Sequence, residues 1–132
     1  MSFRTSAHAY TKVGNETSVE AADSHRLIEL LYEGALSRIA QAKGALRQGR
    51  IDIRGTKISH AINIVLGLRD ALNPAQGAEL ANNLDALYDY IQRLLMDAHK
   101  EGSEAKLDEA TQLLSQLAGA WREIGANKSA LL

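Results

Sequence analysis

Four histidines, sixteen carboxylates and two closely spaced glycines are the groups in this chain best suited to chemistry. Their spacing decides against each in turn. His8, His25, His60 and His99 stand far apart, and none lies three or four residues from another. That is the interval that places two imidazoles on one helix face to hold a metal. Asp23, Ser24 and His25 carry the side chains of a hydrolase triad, but consecutive residues at a helix start point in different directions. They read as a cap and first turn. Gly44 and Gly49 have phosphate-loop spacing, yet Arg50-Ile51 follow where Lys and Ser or Thr are needed, and no strand pattern precedes them. Gly49 reads as a helix terminator. Glu29 and Glu33 share a helix face with Arg26 beside them, which describes a solvated surface. The absence of Cys removes disulfides, thiolate metal sites and thiol catalysis, and suits a reducing compartment. The expectation is a protein that binds rather than reacts, with no catalytic residue, metal or cofactor.

The elements that position these residues are helices. Leu27, Leu31, Ala35, Ile39, Ala42 and Leu46 recur every three or four residues, and so do Ile58, Ala61, Ile62, Val65, Leu68 and Leu72. Leu80, Leu84, Leu87, Ile91, Leu94 and Ala98 form a third stripe, and Leu107, Ala110, Leu114, Leu117, Trp121 and Ile124 a fourth. Asp23 is a candidate cap for the first helix, with Thr17 and Glu20 offering an earlier start by their capping-box spacing. Asn73-Pro74 should stop the second helix, and Ser103 should cap the fourth. No segment alternates with a strand's period. Short connections between helices of similar length predict an all-α, antiparallel, up-down four-helix bundle. The bundle should span residues 23–126, preceded by a polar N-terminal arm over 1–22 and followed by a tail over 127–132. Phe3, Tyr10 and Val13 could lay the arm on the bundle as a lid.

At 132 residues the chain suits one domain with a real core. Fifteen basic residues nearly balance sixteen acidic ones, so no net field attracts nucleic acid or an anionic membrane. The longest apolar run, Ile64 to Leu68, falls far short of the ~20 residues that span a bilayer. The N-terminus lacks a secretory signal's apolar stretch, so a cytoplasmic protein is expected.

The stripes are wider than a core-facing helix requires. Apolar positions of the third helix cover roughly 180° and those of the second about 220°, against the ~100° that one core contact needs. Ile53, Ile64 and Ala71 extend one flank of the second helix. Part of the excess serves bundle neighbours. The rest predicts an apolar groove with tyrosines at its rim, suited to an amphipathic helix from a partner. Gly34, Gly67 and Gly119 in helix interiors point to close packing or close approach of a guest.

The residues also resemble a family. Leu27-Ile-Glu-Leu-Leu-Tyr-Glu-Gly-Ala-Leu36 resembles the first helix of the flagellin-specific secretion chaperones, the FliS family, and Ile58-Ser-His-Ala-Ile-Asn-Ile-Val65 its second. Gly77-Ala-Glu-Leu-Ala-Asn-Asn-Leu84 with Leu87-Tyr-Asp-Tyr90 is similar to its third, Ala120-Trp-Arg-Glu-Ile124 to the end of its fourth, and Ala9-Tyr10 to its N-terminal segment. Asp23-Ser24 stands where the family usually has Ser-Pro, and Gln92 where an Arg often precedes Arg93-Leu94. The resemblance implies a cytosolic chaperone that binds the disordered C-terminal segment of flagellin and prevents premature polymerisation. It also implies delivery to the gate protein of the flagellar type III export apparatus. Tyr10, Ile64, Leu68, Ala71, Asn83, Leu87, Tyr88 and Leu95 are the candidate partner-binding residues. Exposed grooves would favour weak self-association of the empty protein. A rival reading, a histidine phosphotransfer domain, would use His60, although Asn63 and Ile64 stand where such domains usually carry Lys and Gly.

Overall fold

The structure, a computed structural model, describes the backbone of residues 17–131 and the side chains of residues 24–126 apart from Gln76. Four helices account for nearly all of it: α1 (Thr17–Arg47), α2 (Ile51–Asp70), α3 (Ala78–Glu101) and α4 (Glu104–Leu131), with a 3₁₀ turn at Pro74–Gln76. Helix α1 is already running at Thr17, so Asp23 is not its cap and residues 17–22 are helix. Helix α4 likewise continues through most of the expected tail. Phe3, Tyr10 and Val13 lie outside the described residues.

The chain reverses direction where the local chemistry requires it. After Arg47, Gly49 takes φ +71°, the Arg50 N–H donates to the Ala45 carbonyl (2.9 Å) and the Gly49 N–H to Leu46 (3.1 Å). Gly102 closes α3 in the same way at φ +63°, with the Ser103 N–H on the Ala98 carbonyl at 2.9 Å. These bonds satisfy carbonyls a helix end leaves open, and the left-handed conformation suits glycine. Ser103 Oγ accepts from the Lys106 N–H (3.2 Å), the expected cap of α4. The Asn73 side chain accepts from the Ala75 N–H (3.1 Å), starting the 3₁₀ turn once α2 has ended.

Helix α1 packs on α2 and α4, and α3 packs on the same two from the other side. This is the up-down bundle. Ile39, Val65, Ile91, Leu95, Leu107 and Leu114 fill its centre, and no charged side chain is buried among the described residues. The seams differ in chemistry. Lys43–Asp108 (2.7 Å) and Arg47–Glu104 (2.6 Å) join α1 to α4, and Tyr90 donates to Glu109 between α3 and α4. Between α2 and α3, Arg69 binds both oxygens of Asp85 (2.9 and 3.2 Å) and Gln92 (2.7 Å), while Arg54 reaches His99. Among the described residues no ion pair or side-chain hydrogen bond crosses the α1–α2 seam. That seam closes on apolar contact, with a methyl built at Gly34 meeting Ile64 Cδ1 at 3.4 Å. Packing explains Gly34. It does not explain Gly119, where an added methyl meets nothing within 4 Å among the described residues.

Candidate functional site

A cavity of about 160 Å³ lies at the end of the bundle where α2 passes through the 3₁₀ turn into α3. Antiparallel topology brings the first described turns of α1 and the last of α4 to the same end, so all four helices contribute. Leu68 comes from α2 and Ala71 and Leu72 from the residues just after it, Leu80, Ala81, Leu84 and Tyr88 from α3, Ile28 and Tyr32 from α1, and Trp121 from α4. The rim is exposed at Ala71, Asn73, Gly77 and Leu80, the last 62% accessible, whereas Tyr32, Leu68, Ala81 and Tyr88 form a buried floor.

Two tyrosines meet at that floor. The hydroxyls of Tyr32 and Tyr88 are 2.5 Å apart and hydrogen-bonded, 56 positions apart in sequence. Burial pushes both phenols above their ordinary value, and for Tyr88 the bond to Tyr32 adds to the rise. Both stay neutral and keep their protons at physiological pH. Trp121 is fixed on the α4 side by two contacts with one residue. Its Nε1–H donates to the His25 carbonyl (2.8 Å), and its ring stacks on the His25 imidazole at 4.4 Å between centroids and 9° between planes. On α4, the place a Cβ would take at Gly125 lies 2.3 Å from His25 Nε2, so only glycine leaves room for the imidazole there. Far from a triad member, His25 is a ring packed between two positions of α4.

The candidate partner-binding residues separate into three groups. Leu68, Ala71 and Tyr88 border the cavity, although Tyr88 forms its floor rather than a rim. Ile64 lies against Gly34 of α1, whereas Arg54 and Arg69 are α2 residues that reach α3. Asn83 is exposed, and Leu87 is half-buried against the core. Leu95 is fully buried and does not border the cavity. It stands towards the C-terminal end of α3, away from the cavity, where its face is enclosed by the core. Tyr10 lies outside the described residues. Of the two tyrosines of α3, Tyr90 is exposed and engages Glu109 of α4, and Tyr88 is buried and engages Tyr32 of α1. Sequence reasoning passed over Leu72, Leu80, Leu84 and Trp121 as site residues because they fall on core stripes, and it gave Ile28 and Tyr32 no role of their own. The available signal was Pro74 with Gly77, which marks a bundle end where stripe residues outrun their neighbours.

His60 is exposed on α2 in a shallow cleft shared with Asp52, Ser59 and His99. No group of three or more His, Asp or Glu able to hold a metal occurs among the described residues, and no described helix is long and apolar enough to cross a membrane.

Comparison with known proteins accords with this architecture. The family model described as flagellar protein FliS matches residues 6–128. The chain is 43% identical over 112 residues to flagellar secretion chaperone FliSB of Pseudomonas aeruginosa, covering 85% of this chain and 89% of that one. It is 39% identical over 122 residues to flagellar secretion chaperone FliS of Salmonella typhimurium, covering 92% and 90%. The corresponding protein of Vibrio cholerae is 32% identical over 121 residues, covering 92% and 89%. With that match running through every helix of the bundle, the chain belongs to the FliS family of flagellar secretion chaperones.

Proposed function

We propose that this protein holds the C-terminal segment of newly made flagellin in the cytoplasm, keeps it from polymerising and delivers it to the gate of the flagellar export apparatus. The observation that carries this reading is family membership over residues 6–128 together with an apolar cavity open at one end of a preformed bundle. A disordered amphipathic segment gains helix by laying its apolar face on such a surface, and the ordering cost keeps affinity moderate. Holding requires no bond chemistry, so no catalytic group or cofactor takes part. Leu68, Ala71 and Tyr88 act at the cavity. Ile64, Asn83 and Leu87 extend the contact along α2 and α3. Tyr10 belongs to an arm that covers the empty surface, limits self-association and yields to the guest.

Titrating flagellin into the protein while following circular dichroism tests the central claim. Helicity should rise beyond the sum of the separate spectra, and flagellin lacking its C-terminal segment should produce no rise. A strictly additive spectrum at saturation counts against coupled folding. The phosphotransfer reading predicts the reverse, indifference to flagellin and phosphate on His60. Tyr10→Ala should disturb release or export more than stability.

A further inference from the structure

The tyrosine pair leaves one proton unaccounted for. Two neutral phenols bring two O–H groups, and a single hydrogen bond between them uses one. The oxygen that accepts still carries its own hydrogen. Tyr32 and Tyr88 are 4% and 2% accessible, and among the described residues neither hydroxyl has another partner. Both line the cavity, the open space next to them. Other polar groups at its edge are committed elsewhere: the Trp121 indole N–H donates to His25, and the Asn73 side-chain oxygen accepts from Ala75. The cavity therefore presents apolar walls, the solvent-exposed Asn73 amide at its rim and, at its floor, one buried donor without an acceptor among the described residues.

These features define what fits. A buried donor needs an acceptor, and no Lys, Arg or His lines the cavity to balance a charge. A neutral carbonyl oxygen meets both conditions and a carboxylate does not. A helix end supplies such carbonyls, because its last four have no partner within the helix. The volume, about 160 Å³, is close to that of an apolar cavity known to admit one benzene, so it takes a single leucine- or phenylalanine-sized side chain. We infer that the cavity receives the C-terminal end of a guest helix, one large apolar side chain filling it while a main-chain carbonyl accepts the free tyrosine O–H. This rests on the chaperone reading above and gives that site its guest chemistry.

The test titrates a synthetic peptide of flagellin's C-terminal segment into the full-length protein by calorimetry. Wild type is compared with Tyr32→Phe, Tyr88→Phe, the double variant and Leu80→Lys, each also melted by circular dichroism. Removing both hydroxyls together strands no polar group, so the double variant should melt close to wild type while its affinity falls about tenfold, the worth of one hydrogen bond. Each single variant keeps one O–H free to donate and should bind within about threefold of wild type. Leu80→Lys alters the exposed rim without touching the floor and should also weaken binding about tenfold or more while the fold persists. Wild-type affinity in either the double variant or Leu80→Lys overturns the inference and leaves the chaperone reading intact. Failure of the wild-type protein itself to bind the peptide overturns both.

Discussion

His25 shows how much one side chain can decide at a helix junction. Its carbonyl holds the Trp121 indole, its ring lies flat on that indole, and its Nε2 faces the bare Cα of Gly125. The ring cannot swing aside without giving up the stack, so Gly125→Ala forces a shift of ring or helix. Overpacking of this kind should cost about 1–3 kcal/mol, read as a lower urea midpoint at unchanged slope. In a His25→Ala background the same change meets no ring. There Gly125→Ala should stabilise by ~0.5–1 kcal/mol through helix propensity, and the reversal of sign identifies the contact. If Gly125→Ala has the same effect in both backgrounds, His25 is not what requires the glycine. None of this was legible in the sequence, where His25 read as a first-turn residue and Gly125 carried no signal. The two are brought together by the antiparallel pairing of α1 with α4.

At the scale of elements, the glycines fall into classes that composition cannot separate. Gly49 and Gly102 end α1 and α3 in the left-handed conformation, which an L side chain adopts only at a cost. Replacing either by Ala should destabilise the protein by about 1–2 kcal/mol in chemical denaturation. Gly44 and Gly119 lie inside helices, and among the described residues a methyl at either meets nothing within 4 Å. Gly44→Ala and Gly119→Ala should each raise stability by ~0.5–1 kcal/mol. A loss at either position would place an unseen neighbour there. For Gly119 the binding assay adds a second readout: stabilisation with weakened flagellin binding would mark its face of α4 as guest surface. The terminators were readable because capping is local chemistry, as the reading of Gly49 shows. The distinction between Gly34, which meets Ile64, and Gly119, which meets nothing, depends on the partner helix.

For the whole molecule, ionic latches join α2 to α3 and α1 to α4, while α1 and α2 close on apolar contact. The Arg69 guanidinium beside Asp85, and Arg47 beside Glu104, hold those carboxyls below the ordinary carboxylate range. A carboxyl whose value is lowered by folding contributes stability that is complete above its unfolded value. That contribution drains away as the pH falls through the lower, folded value. The melting temperature should therefore be flat from neutrality down to the ordinary carboxylate range near ~4 and fall below it. Asp85→Asn should make that acid-side fall shallower. Because these pairs are solvent-exposed, added salt should weaken their part at neutral pH. An acid limb identical in Asp85→Asn and wild type would remove the α2–α3 latch from the account.

What the sequence determined by itself was the set of helices, their approximate ends and their up-down order. Each of these is a property of one segment: a 3.6-residue stripe, a capping side chain, a glycine at the right offset, a connection too short to cross the bundle. The family resemblance was equally legible, since its motifs run in order along the chain. Tertiary structure decided where the stripes meet. A helical wheel fixes an angle about one axis, not the rotation of one helix against the next or its height along the bundle. Leu80 and Leu95 both lie on the apolar face of α3, yet Leu80 stands exposed at the open end and Leu95 is sealed in the core. Ile64, expected beside the α3 residues, faces Gly34 of α1. Tyr32 and Tyr88 belong to separate helices, and only the arrangement of α1 and α3 around a common end joins their hydroxyls in one cavity.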